Sequence, residues 1–339
     1  RMYFSIGDLG FNIRAAEGND LVRYGTGAVF RCELDGSDLE IFCDGLRNPQ
    51  ELVFDEQGNL FTLDNNSDGG DQARWTWLLK GSDTGWRQAY QWVGEPTSRG
   101  PWNEELLWKP FTPEQPAYVL PPIANFTSGP SGLTIYPGTG FGEDWRGKFF
   151  VCDFRGNPGY SGIYSYRNEA QGAGFRLGKT EEFVWDTLPT DVDFGLDGNL
   201  YWSDWVSGWN QTGKGRLYRA VPEGRDAAEE AAIVDTRETL QRLAAEGGAG
   251  NGSEAGSEAS LSAASGFMDE ELVELFSHRD HRVRQEAQLA LAYRALHEPD
   301  QVEGHRHMVP VLQRLREPAS NERERTARLH AIWTVWHVA

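Results

Sequence analysis

One local pattern recurs along the first two-thirds of the chain: a glycine–asparagine turn, then an alternating strand that ends in aspartate. The pattern occupies residues 54–64 and returns at residues 194–204, and a looser copy covers residues 130–153. Gly-Asn supplies the positive φ angles of a tight turn, and alternating apolar residues are typical of a half-buried strand. The first part of the chain is therefore predicted to fold as repeated β-hairpins.

The spacing of the copies indicates the architecture. Corresponding strand positions are Phe61, Phe150 and Tyr201, which are separated by 89 and 51 residues. Propeller blades of four strands span about 40–50 residues, so the two intervals fit two blades and one blade. A β-sandwich with chance similarity is the alternative, but repetition of turn, strand and terminal aspartate favours a propeller.

Composition changes sharply near residue 222. The part before it is rich in Gly, Trp, Tyr, Asn and Asp, whereas the part after residue 266 is rich in Ala, Leu, Glu and Arg. Residues 284–287 and 328–331 resemble each other at a spacing of 44 residues, within the roughly 40–47 residues of a HEAT repeat. We expect a mainly β fold with three regions: an incomplete six-bladed β-propeller at 1–222 that lacks its N-terminal blades, a short helix and flexible Gly/Ser/Glu linker at 223–265, and truncated HEAT-like helical repeats at 266–339.

The sequence at both termini is typical of secondary structure that has been cut. The chain starts at Arg1 in what reads as the middle of a strand, and residues 331–336 form an apolar helical face without a closing cap. We expect a fragment of a longer protein, inactive on its own. No signal peptide is visible, so the termini do not identify the compartment.

Charge and cysteine content exclude several classes of protein. The net charge of −19 argues against a nucleic-acid or anionic-membrane surface. No run of apolar residues approaches the roughly 20 that a membrane span needs. The three cysteines are too few for a disulfide framework, and no Cys-x-x-Cys is present for a zinc ribbon or a covalent haem.

The segment 64–71 is the first candidate site. It places Asp64, Asn66, Asp68 and Asp71 around a glycine turn, and calcium prefers such oxygen ligands on alternating loop positions. The closing glutamate of an EF-hand is missing, because Trp75 occupies that position. A non-helical calcium loop and a solvated turn with Asx hydrogen bonds both remain open.

Arg47 and Asn48, just before the first clear blade strand, are the second candidate site. A guanidinium and an amide there can bind a carboxylate-bearing ligand, or they can join neighbouring blades. Aspartates at strand ends, namely Asp153, Asp191, Asp193 and Asp204, either line a channel as acid–base groups or hydrogen-bond the next turn.

Histidine and tryptophan are unevenly distributed. All seven histidines lie in the helical part, so the β part contains neither a histidine base nor a histidine metal ligand. Several of the 13 tryptophans, including Trp205 and Trp209, lie in the β part. They offer indole faces on which a sugar can stack, or they belong to the core between blades.

Longer motifs carry a resemblance to a known family. The chain is similar to the soluble glucose/sorbosone dehydrogenase family of quinoprotein propellers, and more closely to membrane-bound dehydrogenase or haem-binding proteins of planctomycete-type bacteria. The similar segments are 7–8, 27–37, 45–54, 69–71, 85–86, 121–125, 130–134, 152–156, 190–194 and 203–205.

The resemblance implies a six-bladed propeller that binds pyrroloquinoline quinone and calcium and oxidises a sugar or alcohol. Arg47 and Asn48 match the family's cofactor-contacting pair, Asp71 matches a calcium-site position, and Arg155 lies near a cationic cofactor contact. Haem c would belong to a domain absent from this chain. The family analogy also implies a periplasmic or exported protein.

The sequence departs from the family in two places. The family's catalytic histidine belongs to an earlier blade that we expect this fragment to lack, and Leu188-Pro189-Thr190 replaces the arginine pair that the family usually has before its last blade strand. The sequence is therefore compatible with two functions. The first is a sugar dehydrogenase with a carbohydrate-like substrate that passes electrons to a haem. The alternative is a non-catalytic glycan- or protein-binding scaffold, with the helical repeats as a surface for a protein partner.

Overall fold

The computed structural model describes residues 1–67, 71–87, 119–244, 266–297 and 325–338. Contacts divide the chain into two compact units. Unit 1 comprises residues 1–136, 147–193 and 200–220, and unit 2 comprises residues 137–146, 194–199 and 221–339.

Unit 1 is built from small sheets that follow one another along the chain. The first sheet has the order β1-β4-β5, and a hairpin of β2 and β3 is inserted after β1. The bounds are β1 Met2–Ile6, β2 Phe11–Arg14, β3 Asp20–Arg23, β4 Gly27–Cys32 and β5 Glu40–Leu46.

The second and third sheets each have four strands. Their orders are β6-β7-β8-β9 and β10-β11-β12-β15, and the hairpin of β13 and β14 is inserted into the third. The second sheet comprises β6 Val53–Phe54, β7 Leu60–Asp64, β8 Arg74–Leu78 and β9 Ala124–Asn125. The third region comprises β10 Pro130–Ile135, β11 Phe149–Asp153, β12 Gly162–Tyr166, β13 Asn168–Gln171, β14 Gly174–Leu177 and β15 Glu181–Trp185.

The fourth sheet has the order β16-β17-β18, with bounds Pro189–Phe194, Leu200–Asp204 and Arg216–Ala220. Consecutive strands of these sheets pair antiparallel, as β10 with β11 and β17 with β18. Sheets that are made in turn from successive chain segments are the arrangement of propeller blades. The prediction of a mainly β protein is confirmed.

The repeated turn has the same backbone hydrogen bonds in both clear copies: Gly58 donates its N–H to the Asp55 carbonyl at 3.0 Å, and Gly198 donates to the Gly195 carbonyl at 3.1 Å. The asparagine donates to an aspartate in each copy, but from a different turn position. Asn59 donates its backbone and side-chain N–H groups to Asp55, four residues before it, whereas Asn199 donates to the aspartate two residues before it. Gly58 and Gly198 have φ angles of 78° and 69°, which L side chains rarely adopt. The turn therefore uses glycine for its positive φ angle and asparagine for its side-chain hydrogen bond.

Aromatic side chains fill the space between the second and third sheets. Phe61, Trp75, Phe149 and Tyr166 are almost completely buried. The Trp75 ring lies 5.2 Å from each of the other three ring centroids. Its indole N–H donates to Asn168 Oδ1 at 2.8 Å, so its one polar atom is satisfied. Trp75 is thus a core residue and not a binding surface.

Three of these sheets end their second strand in a buried aspartate. The residues are Asp64, Asp153 and Asp204, with exposed fractions of 0%, 0% and 4%. Each carboxylate accepts backbone N–H groups from the segment just before the first strand of its own sheet. The donors are Arg47 (3.0 Å) and Asn48 (2.8 Å) to Asp64, Ser128 (3.1 Å) and Gly129 (2.9 Å) to Asp153, and Leu188 (2.8 Å) to Asp204.

We call this arrangement the aspartate anchor. Each of the three anchors also pairs with a guanidinium, from Arg74, Arg155 and Arg216 respectively. A buried carboxylate is costly unless it is hydrogen-bonded and paired with a cation, and the anchors meet both conditions. Of the two roles that the sequence offers for strand-end aspartates, Asp153 and Asp204 therefore have the second, which is hydrogen bonding of the adjacent segment.

Unit 2 contains α-helices. Those that the structure describes are α1 Ala227–Ala244, α2 Asp269–Glu274, α3 His281–His297 and α4 Arg325–Val338. Helix α1 lies where the sequence predicts a short helix, and residues 245–265 of the predicted linker lie outside the described residues. Leu272, Phe276, Leu291 and Ala331 are completely buried in one core. The HEAT-like period stays a prediction.

Two short segments from the β region belong to unit 2. The Arg225 guanidinium donates to the carbonyl oxygens of Gly140 at 2.8 Å and Gly198 at 2.7 Å. Thr139 Oγ1 donates to Asp280 Oδ2 at 2.6 Å. Because of these bonds, residues 137–146 and 194–199 belong to unit 2 although they lie between segments of unit 1 in the sequence. None of the helices in the described ranges is long and apolar enough to cross a bilayer.

Asp153→Asn tests the aspartate anchor. The substitution removes the charge that pairs with Arg155 and replaces one acceptor oxygen with a donor. We expect the free energy of unfolding to fall by about 2–4 kcal/mol, measured by urea denaturation followed by tryptophan fluorescence. Asp20→Asn is the control, because its carboxylate is 57% exposed and lies 3.9 Å from Arg14. A change in Asp153→Asn as small as in this control would contradict the anchor.

Candidate functional site

The anchors define one end of the sheets. In the second sheet Pro49, which precedes β6, forms an isolated bridge with Asp64, and in the third Pro130, the first residue of β10, pairs with Asp153. The chain that enters each first strand therefore lies beside the end of the second strand. We call this end the anchored end. The segments that meet there are 46–52 with 65–67, 126–129 with 154–161, and 187–188 with 205–215.

Arg47 and Asn48 lie at the anchored end of the second sheet. The Asp64 anchor fixes their backbone, and Asn65 donates its N–H to the Asn48 carbonyl at 3.4 Å. Both residues are half-buried. A guanidinium and an amide therefore extend from a main chain that is held on both sides.

Asp8, two residues after the end of β1, lies beside this pair. Its backbone N–H donates to the Arg47 carbonyl at 2.6 Å, and its carboxylate accepts the Trp86 indole N–H at 2.8 Å. Burial raises the pKa of Asp8 above its usual range, while the Trp86 bond and the Arg47 charge oppose that rise. A half-buried carboxylate with these neighbours is a candidate acid–base group. The sequence shows Gly7-Asp8 only as part of a motif, and its proximity to Arg47 comes from the fold.

Arg155 lies at the anchored end of the third sheet. Its Nε and Nη2 atoms donate to Asp153 Oδ2 at 2.9 Å and 2.6 Å. Its side chain is still 35% exposed. Arg155 therefore pairs with the anchor aspartate while part of its side chain remains accessible to solvent.

The predicted calcium ligands occupy different environments. The Asp64 carboxylate is engaged by the anchor and by Arg74. Asp71 accepts the backbone N–H of Ser67 at 3.0 Å and its hydroxyl at 2.5 Å, and the Asn66 amide donates to the Asp71 carbonyl at 3.1 Å.

Asp68 lies outside the described residues. Within the ranges the structure describes, no group of three or more His, Cys, Asp or Glu side chains is arranged to hold a metal ion. Arg74 supplies the positive charge that Asp64 needs, which gives Asp64 a structural role. A calcium site at residues 64–71 stays a prediction.

Glu51 connects the first strands of three sheets. Its Oε2 atom accepts the backbone N–H of Leu133 at 2.7 Å, and its side chain also interacts with Asp191. Beside it, Thr134 Oγ1 donates to Asp193 Oδ1 at 3.0 Å. Burial, with the nearby charges of the two aspartates, raises the pKa of Glu51 to about 7. The sequence indicates Asp191 and Asp193 as candidate site residues. It does not indicate Glu51, because the neighbours of Glu51 come from distant segments of the chain.

Glu51→Gln tests this carboxyl group. Because the pKa of Glu51 is higher in the folded chain than its ordinary unfolded value of about 4.3, the folded state keeps its proton longer. Its contribution to stability is complete below about pH 4 and is lost as the pH rises to 7. Wild-type protein should lose about 1–3 kcal/mol more stability than Glu51→Gln between pH 5 and pH 8.

Urea denaturation at both pH values measures this difference. Glu143→Gln is the control, because that side chain is 71% exposed and should leave the pH dependence unchanged. Equal pH dependence in wild type and Glu51→Gln would refute a raised pKa at Glu51.

Two solved structures are similar to parts of this chain. An aldose sugar dehydrogenase from Streptomyces coelicolor, solved in its PQQ-bound form, is 17% identical; the match covers 64% of this chain and 57% of that one, with a TM-score of 0.38. A soluble aldose sugar dehydrogenase from Escherichia coli, solved in the apo form, is 18% identical over 64% of this chain and 59% of that one, with a TM-score of 0.40. This chain thus spans less than two-thirds of either structure.

Sequence comparison gives the family assignment. No curated protein matches the chain in sequence. The family model described as glucose/sorbosone dehydrogenase matches residues 2–202, which is more than half of the chain and includes Asp8, Arg47, Asn48 and Arg155. The chain belongs to the glucose/sorbosone dehydrogenase family.

Proposed function

We propose that this chain is the larger part of a six-bladed, quinone-dependent sugar dehydrogenase whose cofactor and substrate meet at the anchored end. The observation that carries the proposal is the Arg47-Asn48 pair, held by the Asp64 anchor beside Asp8, inside the segment that the family model matches. The proteins from Streptomyces coelicolor and Escherichia coli, both named aldose sugar dehydrogenases, support a sugar as substrate.

The polar groups at the anchored end are of the chemical types that bind an anionic quinone. Pyrroloquinoline quinone carries several carboxylates, and guanidinium groups bind carboxylates through two parallel hydrogen bonds. In our proposal Arg47, Asn48 and the exposed part of Arg155 hold the cofactor. The family's arginine pair is absent at Leu188-Pro189-Thr190, where Leu188 serves an anchor and Thr190 shares a hydrogen bond with Ser203 at 2.7 Å. Arg47 and Arg155 would therefore neutralise more of the negative charge of the cofactor carboxylates.

The bound quinone would accept a hydride from a sugar carbon. The residues of this chain bind, orient and handle protons. Asp8 is the group we assign to proton transfer, because partial burial raises its pKa while Trp86 holds the carboxylate in place. Arg47 favours the ionised form of Asp8, which is the form that can take a proton from a sugar hydroxyl.

Further parts of the proposal follow the family resemblance. Calcium would bind at the loop that contains Asp64, Asn66, Asp68 and Asp71. Electrons would pass to a haem domain outside this chain, as in the planctomycete-type proteins. The helical part would continue as HEAT-like repeats that bind a protein partner, and the protein would be periplasmic or exported.

A non-catalytic glycan-binding scaffold is the second candidate. It is favoured by the neutral residues 188–190 and by Trp209, whose side chain is 71% exposed at the anchored end. This function would need neither quinone nor calcium. Uptake of the quinone separates the two candidates.

The experiment adds pyrroloquinoline quinone and calcium to the full-length protein. We expect stoichiometric uptake of the quinone, measured by equilibrium dialysis, and dye reduction with at least one aldose. Arg47→Ala should weaken uptake about 10- to 100-fold, since it removes a charge-assisted pair. Arg14→Ala, whose side chain is 73% exposed in a weak ion pair, should leave uptake unchanged. No uptake by the intact protein, or equal uptake by Arg47→Ala, would refute the proposal.

A further inference from the structure

Trp209 combines exposure with a fixed position. Its side chain is 71% exposed, yet its ring lies edge-on to Phe154 with centroids 5.1 Å apart and an interplanar angle of 65°. The indole also rests on Gly156, where an added Cβ would lie 2.2 Å from Trp209 Nε1. An exposed tryptophan on an ordinary surface has no such support.

Hydrogen bonds join the two loops that carry these residues. Gly208 donates its N–H to the Gly156 carbonyl at 2.9 Å, which connects the loop after β17 to the loop after β11. Trp205 donates its N–H to the Leu188 carbonyl at 2.9 Å. Val206 has a φ angle of 79°, which a β-branched residue rarely adopts. Such unfavourable backbone angles occur most often at binding and active sites.

The loop after β11 is also fixed internally. The backbone N–H of Arg155 donates to Ser161 Oγ at 2.9 Å, and that hydroxyl donates to the Asn157 carbonyl at 2.7 Å. The Asn157 side chain accepts the Gly159 N–H at 2.9 Å. Binding to a surface that is already ordered avoids the entropy cost of ordering it.

We propose that Trp209, supported by Phe154 and Gly156, is a stacking platform for one face of a pyranose ring. The assignment to a sugar rests on the proposed function and on the chemistry of the surface. The C–H-rich face of a pyranose suits an indole face, and the amide of Asn157 and the exposed part of Arg155 lie in the same loop to bind hydroxyl groups. A net charge of −19 makes the bases of a nucleic acid unsuitable occupants.

The location is consistent with a substrate subsite. Phe154 and Arg155 directly follow the Asp153 anchor, and Trp205 directly follows the Asp204 anchor. The platform therefore lies at the anchored ends of the third and fourth sheets, and Arg47 and Asn48 lie at the corresponding end of the second sheet. In the proposed enzyme it would hold the sugar, while the residues of the second sheet contribute to the quinone site.

The test measures sugar binding by the full chain without quinone or calcium. Glucose, galactose, xylose and maltose are titrated by isothermal calorimetry and by saturation-transfer NMR, with acyclic mannitol as the chemical control. We expect saturable binding of at least one pyranose, with no saturation by mannitol. Trp209→Ala and Gly156→Ala should each weaken that binding at least tenfold.

Trp336→Ala is the matched control, because that tryptophan is 58% exposed and lies in α4 of unit 2. It should bind sugar as the wild type does, and circular dichroism should show that all three variants are folded. Wild-type affinity in Trp209→Ala, equal binding of mannitol, or no saturable pyranose binding would each overturn the platform. Because quinone is omitted, a failure of quinone uptake leaves this result standing, and the two proposals can fail separately.

Discussion

A buried carboxylate needs hydrogen-bond donors and a counter-ion, and this requirement organises the β unit. Asp64, Asp153 and Asp204 each satisfy it with backbone N–H groups from the segment before the first strand and with an arginine. In water such groups would be hydrated, so the burial is tolerated only when the donors are held in place. The carboxylate therefore fixes the segment that leads into the first strand of its sheet.

That constraint explains why polar residues with different tasks lie at the anchored ends of the sheets. The backbone N–H groups of Arg47 and Asn48 donate to the Asp64 anchor, which leaves their side chains for other interactions. Arg155 pairs with the Asp153 anchor, and its side chain remains partly exposed. Asp8 and Trp209 are brought in by bonds to these same segments or to the loops that follow the anchors. A rigid scaffold with functional groups on its connecting loops is the usual arrangement in enzymes. The proposed dehydrogenase and the sugar platform both depend on it.

The sequence predicts what is encoded locally. The glycine–asparagine turns, their trailing strands and the terminal aspartates are visible because a few adjacent residues determine them, as in the turn at Asp55 and Asn59. The blade-like sheets and the position of Arg47 follow from that repeat. The role of Asp64 could not be separated from a metal-binding role in the same way, because its arginine partner and its N–H donors come from other segments.

Asp8 and Glu51 show the same limit more clearly. Asp8 meets Trp86, which lies 78 residues away, and Glu51 meets Leu133, which lies 82 residues away. Neither pairing leaves a local motif, and the raised pKa values depend on burial that only the packed sheets create. Likewise, the inclusion of residues 137–146 in unit 2 depends on contacts with Arg225 and Asp280 and not on composition.

Hydrogen exchange of the backbone amides tests the aspartate anchors most directly. Amides bonded to a buried carboxylate should exchange only when the unit opens, and loop amides in contact with water should exchange quickly. The account predicts slow exchange, close to that of the central strands, for the amides of Arg47, Asn48, Ser128, Gly129 and Leu188. Exchange of these amides as fast as that of unstructured peptide, while the strands stay protected, would contradict it.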